Sequence, residues 1–354
     1  MKSFSQLIDP AFRKLLYTLD HADRQDGLPF DRPDMLLPHT DSRFYGWTHY
    51  GLMIPDLPAP HRYFSIMSII GTPGAQCFDI DYARRETPRR NATVVSGTAA
   101  TYPSHFGSYA IGRQGEFSAD GRLVRFGNDV IIRGGYPEYH VQANIGGYEI
   151  ELQVLNTDKV SWFIKNPVYE HISLLSEYRG MICGPGGSMT VSGLCAFEYG
   201  ACVSPYVLRD KPLPWNRKVP LDFFFYNIIN LDERTQLLLS YCTMKGLSVN
   251  RSVLIRGLDR YTKTLRDVEV TVEEYHPHAA VSLDGIAMKL PLAWRWRARD
   301  NGKTVLDLRM TQDTPFTYGL GNGYVGGATF SGTVEGREVG GGCYVEYIDV
   351  RGVE

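Results

Sequence analysis

The sequence predicts an all-β protein made of two antiparallel barrels in tandem. Three observations carry this. The first is the ending: Gly319 to Glu346 reads GLGNGYVGGATFSGTVEGREVGGGCYVE, glycine-dense and without a helix-forming run. Helices do not tolerate that glycine density. Tightly curved strands do, because glycine absorbs bulges and bends at barrel corners. The second is composition: 36 glycines and 12 % aromatic residues, with many short apolar runs, favour sheets over helices. The third is that strand-like segments fall into two series, split by a proline-rich stretch.

Taken in order, Asp9-Pro10 reads as an N-cap followed by proline at the first helical turn, and Phe12, Leu15, Leu16 and Leu19 follow at helical spacing. This predicts a short helix ending before Gly27, a plug or lid for a barrel end. Strand candidates then run Phe44–Ile54, Arg62–Gly71, Gln76–Tyr82, Leu123–Phe126, Val130–Arg133, Tyr139–Ala143, Tyr148–Leu155, Val160–Ile164, Ile172–Leu175 and Ser188–Tyr199. Turn signals such as Thr72-Pro73-Gly74, Ala119-Asp120-Gly121 and Gly146-Gly147 separate them. The Arg-rich stretch Arg84–His105 reads as a long loop over a barrel mouth. Ser204–Val219 carries Pro205, Pro212 and Pro214 and reads as a linker. The second series is Leu221–Asn230, Thr235–Cys242, Ser252–Arg256, Val268–Tyr275, Ile286–Arg299, Thr304–Arg309, Tyr324–Ser331 and Cys343–Asp349. The expected organisation is a helical extension over 1–26, a first barrel over 27–203, and a linker with the second barrel over 204–354. A barrel of modest strand number can hold one small ligand in its lumen, which predicts a buried, mostly apolar pocket.

Charge excludes some partners. The 37 basic and 39 acidic residues leave a formal net charge of −2, so no basic surface for nucleic acid is expected. No run of about 18 apolar residues suggests a transmembrane segment. The start MKSFSQLIDPAFRKLL has no apolar core of a secretory signal, so the expected location is the cytoplasm. The six cysteines, Cys77, Cys183, Cys195, Cys202, Cys242 and Cys343, form no CxxC pair, and free thiols without a metal are expected. His276-Pro277-His278 lacks a third ligand by spacing and reads as a polar turn. Gly319-x-Gly321-x-Gly323 precedes a strand rather than a helix, so it is no phosphate loop.

Several residues could carry chemistry. Glu198, between Phe197 and Tyr199 at the end of a strand before the linker, could be desolvated at a junction and act as a proton donor. The plainer reading is a surface glutamate. Trp294 and Trp296 share one strand face and could shelter a cation, or simply pack in a core. Glu149 and Glu151 share a face near Tyr139 and His140, which allows acid–base chemistry or a solvated strand face. Asp79 and Asp81 carry the same ambiguity.

Three stretches resemble the carotenoid hydratase superfamily, that is hydroxyneurosporene synthase and its relatives, similar in outline to kievitone hydratase and fungal Diels–Alderases. Phe44-Tyr45-Gly46-Trp47-Thr48-His49 resembles the aromatic first strand of that family. Val191-Ser192-Gly193 leading to Phe197-Glu198-Tyr199-Gly200 resembles the segment closing its first barrel. Gly323-Tyr324-Val325-Gly326-Gly327 with Gly340-Gly341-Gly342-Cys343-Tyr344-Val345-Glu346 resembles its ending. Ala196 stands where that family has an acidic residue, and Val325-Gly326 where it has Trp-Glu. The resemblance implies two lipocalin-like barrels and a cofactor-independent hydratase, isomerase or cyclase acting on a hydrophobic terpenoid- or polyketide-like molecule. Glu198 would be the acid, with Tyr199 orienting it or the substrate. Trp47, His49, His140, Glu149, Trp294, Trp296, Tyr324 and Glu346 would line the substrate site. The alternative on the same fold is a non-catalytic carrier of a lipid or small hydrophobic ligand. Either is compatible with a homodimer.

Overall fold

The computed structural model describes residues 20–353. The expected helix over Phe12–Leu19 lies outside them. The protein is all-β. The first half holds β1 (Tyr45–Ile54), β2 (Phe64–Gly71), β3 (Asn91–Gly97), β4 (His105–Ala110), β5 (Gly115–Phe117), β6 (Leu123–Phe126), β7 (Val130–Gly135), β8 (Glu138–Ile145), β9 (Tyr148–Asn166), β10 (Tyr169–Gly184) and β11 (Gly187–Val203). They form one antiparallel sheet in the order β4-β3-β2-β1-β11-β10-β9-β8-β7-β6-β5. The sheet curls until its edges approach at the Ile111–Gly115 bridge, giving a nearly closed barrel.

The second half holds β12 (Leu221–Asn230), β13 (Thr235–Met244), β14 (Leu247–Gly257), β15 (Arg260–Leu265), β16 (Asp267–Tyr275), the short pair β17 (Ala280–Val281) and β18 (Ala287–Met288), β19 (Pro291–Asp300), β20 (Lys303–Gln312), β21 (Thr317–Leu320), β22 (Gly323–Val334) and β23 (Arg337–Asp349). Its sheet runs β15-β14-β13-β12-β23-β22-β20-β19-β16, with β21 added beside β22, and it curls as a half-barrel. In both halves the first strand pairs antiparallel with the last, β1 with β11 and β12 with β23. The chain therefore repeats one topology, although no repeat is visible in its letters.

Several sequence expectations need correction. Asn91–Gly97 is not loop but β3, every residue of it buried. The flanking arginines hide the apolar Ala92-Thr93-Val94-Val95 run. The β4, β5 and β15 strands were also missed, being short and locally polar. Gln76–Tyr82 is turn and coil rather than strand. Tyr148–Leu155 and Val160–Ile164 are one strand, β9, carried through an irregularity in its pairing with β10. The connector over 204–219 is packed rather than loose. Val219 bridges to Ala75, Tyr206 donates to Asp79 at 3.2 Å, and buried Lys218 reaches Asp79 at 3.1 Å and Asp81 at 2.6 Å.

The interiors are filled by side chains. In the first barrel Tyr139 stacks on Phe197 at 4.6 Å, and Tyr50 meets Tyr199 edge-on. In the second, Phe225 packs against Trp294, Trp296 and Tyr347. The expected ligand lumen is thus an aromatic core in each half. Trp294 and Trp296 donate their indole N–H groups to Asn227 Oδ1 at 3.1 and 2.8 Å. Buried N–H groups without an acceptor are costly. Asn227→Ala is expected to destabilise the protein by about 2–3 kcal/mol in urea denaturation.

The halves pack against each other through the outer faces of β1, β10 and β11 on one side and β12 and β23 on the other. Alternation dictates this: Phe197, Tyr199 and Ala201 belong to the first core, while Ala196 joins the cluster of the second half. Polar ties cross the junction, including Ser161 with Thr262 at 2.8 Å and Asn322 Nδ2 to the Gln76 carbonyl at 2.7 Å. All six cysteines are free. Among the described residues no helix is long and apolar enough to cross a membrane.

Candidate functional site

The junction buries a set of ionisable groups that an ordinary core excludes. Glu198 on β11 is 4 % exposed and Glu346 on β23 is 3 % exposed. Each lies on the last strand of its sheet, beside the first strand, and each is followed by tyrosine. Their surroundings differ because their neighbours across the strands differ.

Around Glu198 the register builds a small lattice. Gly200 of β11 is flanked by His49 of β1 and His171 of β10. Glu198, two residues earlier, projects from the same face and is flanked by Gly51 and Ser173. The glycines make the room. A Cβ on Gly51 would lie 2.9 Å from His49 Nε2, and one on Gly200 would lie 3.3 Å from the His171 ring. The two imidazoles meet edge-to-face, with centroids 5.4 Å apart. Glu198 Oε2 stands 3.7 Å from His49 Nε2 and 3.8 Å from His171 Nε2. Its other oxygen, Oε1, accepts from the Tyr226 hydroxyl of β12 at 2.5 Å. Tyr226 thus links the second half to the carboxylate of the first.

The rings are held from behind. His49 Nδ1 lies 2.8 Å from the Ser68 carbonyl oxygen, and His171 Nδ1 lies 3.0 Å from the Tyr169 hydroxyl. Trp47 packs on Tyr169 with centroids 5.6 Å apart, and Phe163 covers both His171 and Tyr226.

Glu346 sits in a more apolar place. It pairs across the strands with Tyr226 and Val325, and accepts from the Tyr344 hydroxyl at 2.9 Å. Burial, and then the nearby Glu198 carboxylate, push its carboxyl up to about 8. Burial also acts to raise Glu198, but the facing His171 and His49, when they carry protons, outweigh it and hold that carboxyl down at about 2. Burial lowers His171 as well. Of the two carboxyls, the one that keeps its proton near neutral pH is Glu346.

A family profile described as "Family of unknown function (DUF6670)" matches residues 67–354. The chain belongs to the DUF6670 family. No curated protein matches this DUF6670 sequence. Among solved structures it is similar to CghA, both free and with Sch210972, at 7 % identity and a TM-score of 0.49, covering 87 % of this chain and 89 % of that one.

In this DUF6670 protein the sequence-nominated residues divide. Glu198, His49 and Glu346 come together at the junction, with Trp47 behind His171. Tyr199, expected to orient Glu198, does not touch it. Adjacent strand residues face opposite ways, so Tyr199 points into the first barrel and donates to the Leu37 carbonyl at 2.7 Å. The hydroxyl that meets Glu198 is instead that of Tyr226, from the other half. Trp294 and Trp296 face the second core, on the opposite side of β12 from Tyr226. His140 stands opposite Arg133 and Gln153, and Glu149 is exposed opposite Asn144 and Cys183. Tyr324 packs on Tyr318 with centroids 5.3 Å apart. His171 and Tyr226 were missed. Both lie in or beside strand candidates, but nothing local marks which face they take.

Proposed function

We propose that this protein is an acid–base hydratase, isomerase or cyclase acting on a small hydrophobic molecule at the junction of its two halves. The observation that carries this reading is the pair of buried carboxyls, Glu198 and Glu346, set in opposite surroundings within reach of each other's charge. Two carboxyls whose environments push their proton affinities apart make an acid and a base. Glu346 is the proton donor to an alkene or carbonyl. Glu198, with His49 and His171, forms the side that accepts a proton or activates water. Tyr226 and Tyr344 position the two carboxyls, and Phe163, Phe224 and Tyr63 supply apolar walls around them. Both carboxyls are covered, so admission of substrate requires the halves to part locally. This reading moves the donor from Glu198 to Glu346 and keeps the reaction class implied by the resemblance to carotenoid hydratases. A carrier of apolar ligands has no use for convergent carboxyls and imidazoles, which disfavours the alternative.

The test is incubation of the purified protein with a hydrophobic small-molecule extract of its expression host, followed by untargeted mass spectrometry. The expected result is at least one compound converted to an isomer or to a product heavier by one water. A chemical profile identical with and without the protein overturns the reading.

A further inference from the structure

The donor atoms at the junction carry a feature that proton chemistry alone does not need. His49 Nδ1 faces a backbone carbonyl oxygen, which can only accept, so that nitrogen carries the hydrogen. In its neutral form the ring would then present Nε2 as a bare lone pair. His171 Nε2 is buried and has no hydrogen-bond partner. Both nitrogens point at Glu198 Oε2 from 3.7 and 3.8 Å, too far for a hydrogen bond and unfavourable for lone pairs facing a carboxylate. The three donor atoms all lie within 4.8 Å of one another. A cation equidistant from the three donors and in their plane would stand at most about 2.4 Å from each, near the ~2.0–2.2 Å usual for imidazole and carboxylate ligands of zinc.

We infer that His49 Nε2, His171 Nε2 and Glu198 Oε2 bind one divalent transition-metal ion, zinc foremost, at the junction of the two halves. Two imidazoles and one carboxylate suit Zn²⁺, and also Mn²⁺ or Fe²⁺, whereas Ca²⁺ and Mg²⁺ favour all-oxygen sets. The outer ring of contacts is that of a metal site. Each ligand is fixed from behind: His49 by the Ser68 carbonyl, His171 by the Tyr169 hydroxyl, and Glu198 by the Tyr226 hydroxyl. The ligands come from β1, β10 and β11, with His49 more than a hundred residues of chain before His171 and Glu198, so spacing could not reveal them. The inference revises the expectation of a metal-free protein. It stands whether or not Glu346 is the proton donor. A bound ion would supply activated water on the Glu198 side of the site.

The test uses the full chain, purified without a metal-affinity tag. Elemental analysis is expected to find about one equivalent of zinc, manganese or iron per chain. Protein unfolded in chelator and refolded with Co²⁺ is expected to show visible ligand-field absorption and a higher Tm than protein refolded without metal. Glu198→Gln and His171→Asn are expected to lower bound metal at least tenfold. Tyr169→Phe, which keeps all three donors, should weaken affinity about 10–100-fold. If the ligand variants fail to fold, the native metal content and Tyr169→Phe decide. Native protein with less than about a tenth of an equivalent, together with no Co²⁺ spectrum and no Tm change, overturns the inference. So does undiminished metal in correctly folded Glu198→Gln and His171→Asn. Either result would leave an imidazolium–carboxylate pair as the account of the cluster and would not touch the proposed role of Glu346.

Discussion

Glu346→Gln is expected to lower turnover of the identified substrate by about a hundredfold to ten-thousandfold, the usual cost of losing general acid–base catalysis. Glutamine keeps the size of the side chain and still accepts from the Tyr344 hydroxyl, so the fold should survive. Wild-type turnover in this variant would remove Glu346 from the chemistry. The same substitution has a second readout. A glutamate titrates near 4.5 in the unfolded chain, and Glu346 is pushed up to about 8 in the fold. Between those values the folded protein holds a proton that the unfolded chain has released. The contribution of Glu346 is therefore whole below pH 4.5, declines as pH rises, and is lost once pH passes the folded value. At about 1.4 kcal/mol per pH unit the fall amounts to at most about 5 kcal/mol. Urea denaturation at pH 5, 7 and 9 should show stability decreasing across the series in the wild type and a flatter profile in Glu346→Gln. An equal slope in both would place the shifted group elsewhere.

Arg256→Met is expected to cost about 3–5 kcal/mol and to weaken the union of the two halves. Arg256 rises from β14 and is completely buried. Its guanidinium donates to the Ser173 carbonyl at 2.5 Å and to the Ser173 hydroxyl at 3.0 Å, both on β10 of the other half. It also donates to Gln236 Oε1 at 2.6 Å. Burial lowers its affinity for a proton, to about 10, yet it stays charged at neutral pH. Methionine keeps the stem and removes every donor, leaving buried acceptors unpaired. Ser173 flanks Glu198, so the loss should also loosen the floor of the site. The expected calorimetric result is a lower Tm and a broader or divided transition. A single sharp transition at the wild-type Tm would show that the guanidinium does not tie the halves.

The sequence by itself determined the class of fold. Alternating apolar residues and a glycine-dense ending can only be strands, and Leu221–Asn230 was legible to the residue because its apolar run is bounded by proline and by polar turns. It also pointed to Glu198, Glu346 and His49, through short stretches that resemble known strands. It did not determine what those residues do. Whether a strand residue faces a core or a neighbouring barrel depends on register, and register is a relation between strands far apart in the chain. Tyr199 looked inward and Tyr226 outward for that reason alone. The tertiary structure decided that His171 stands level with His49 across Gly200, that Gly51 leaves room beside them, and that Tyr226 reaches Glu198 from the opposite half. It also decided that two glutamates, each in a Glu-Tyr pair near the end of a closing strand, differ in proton affinity. One faces imidazoles, whereas the other faces apolar side chains and the charge of the first. No local pattern encodes that difference, because it arises only when the two sheets are pressed together and water is excluded from between them.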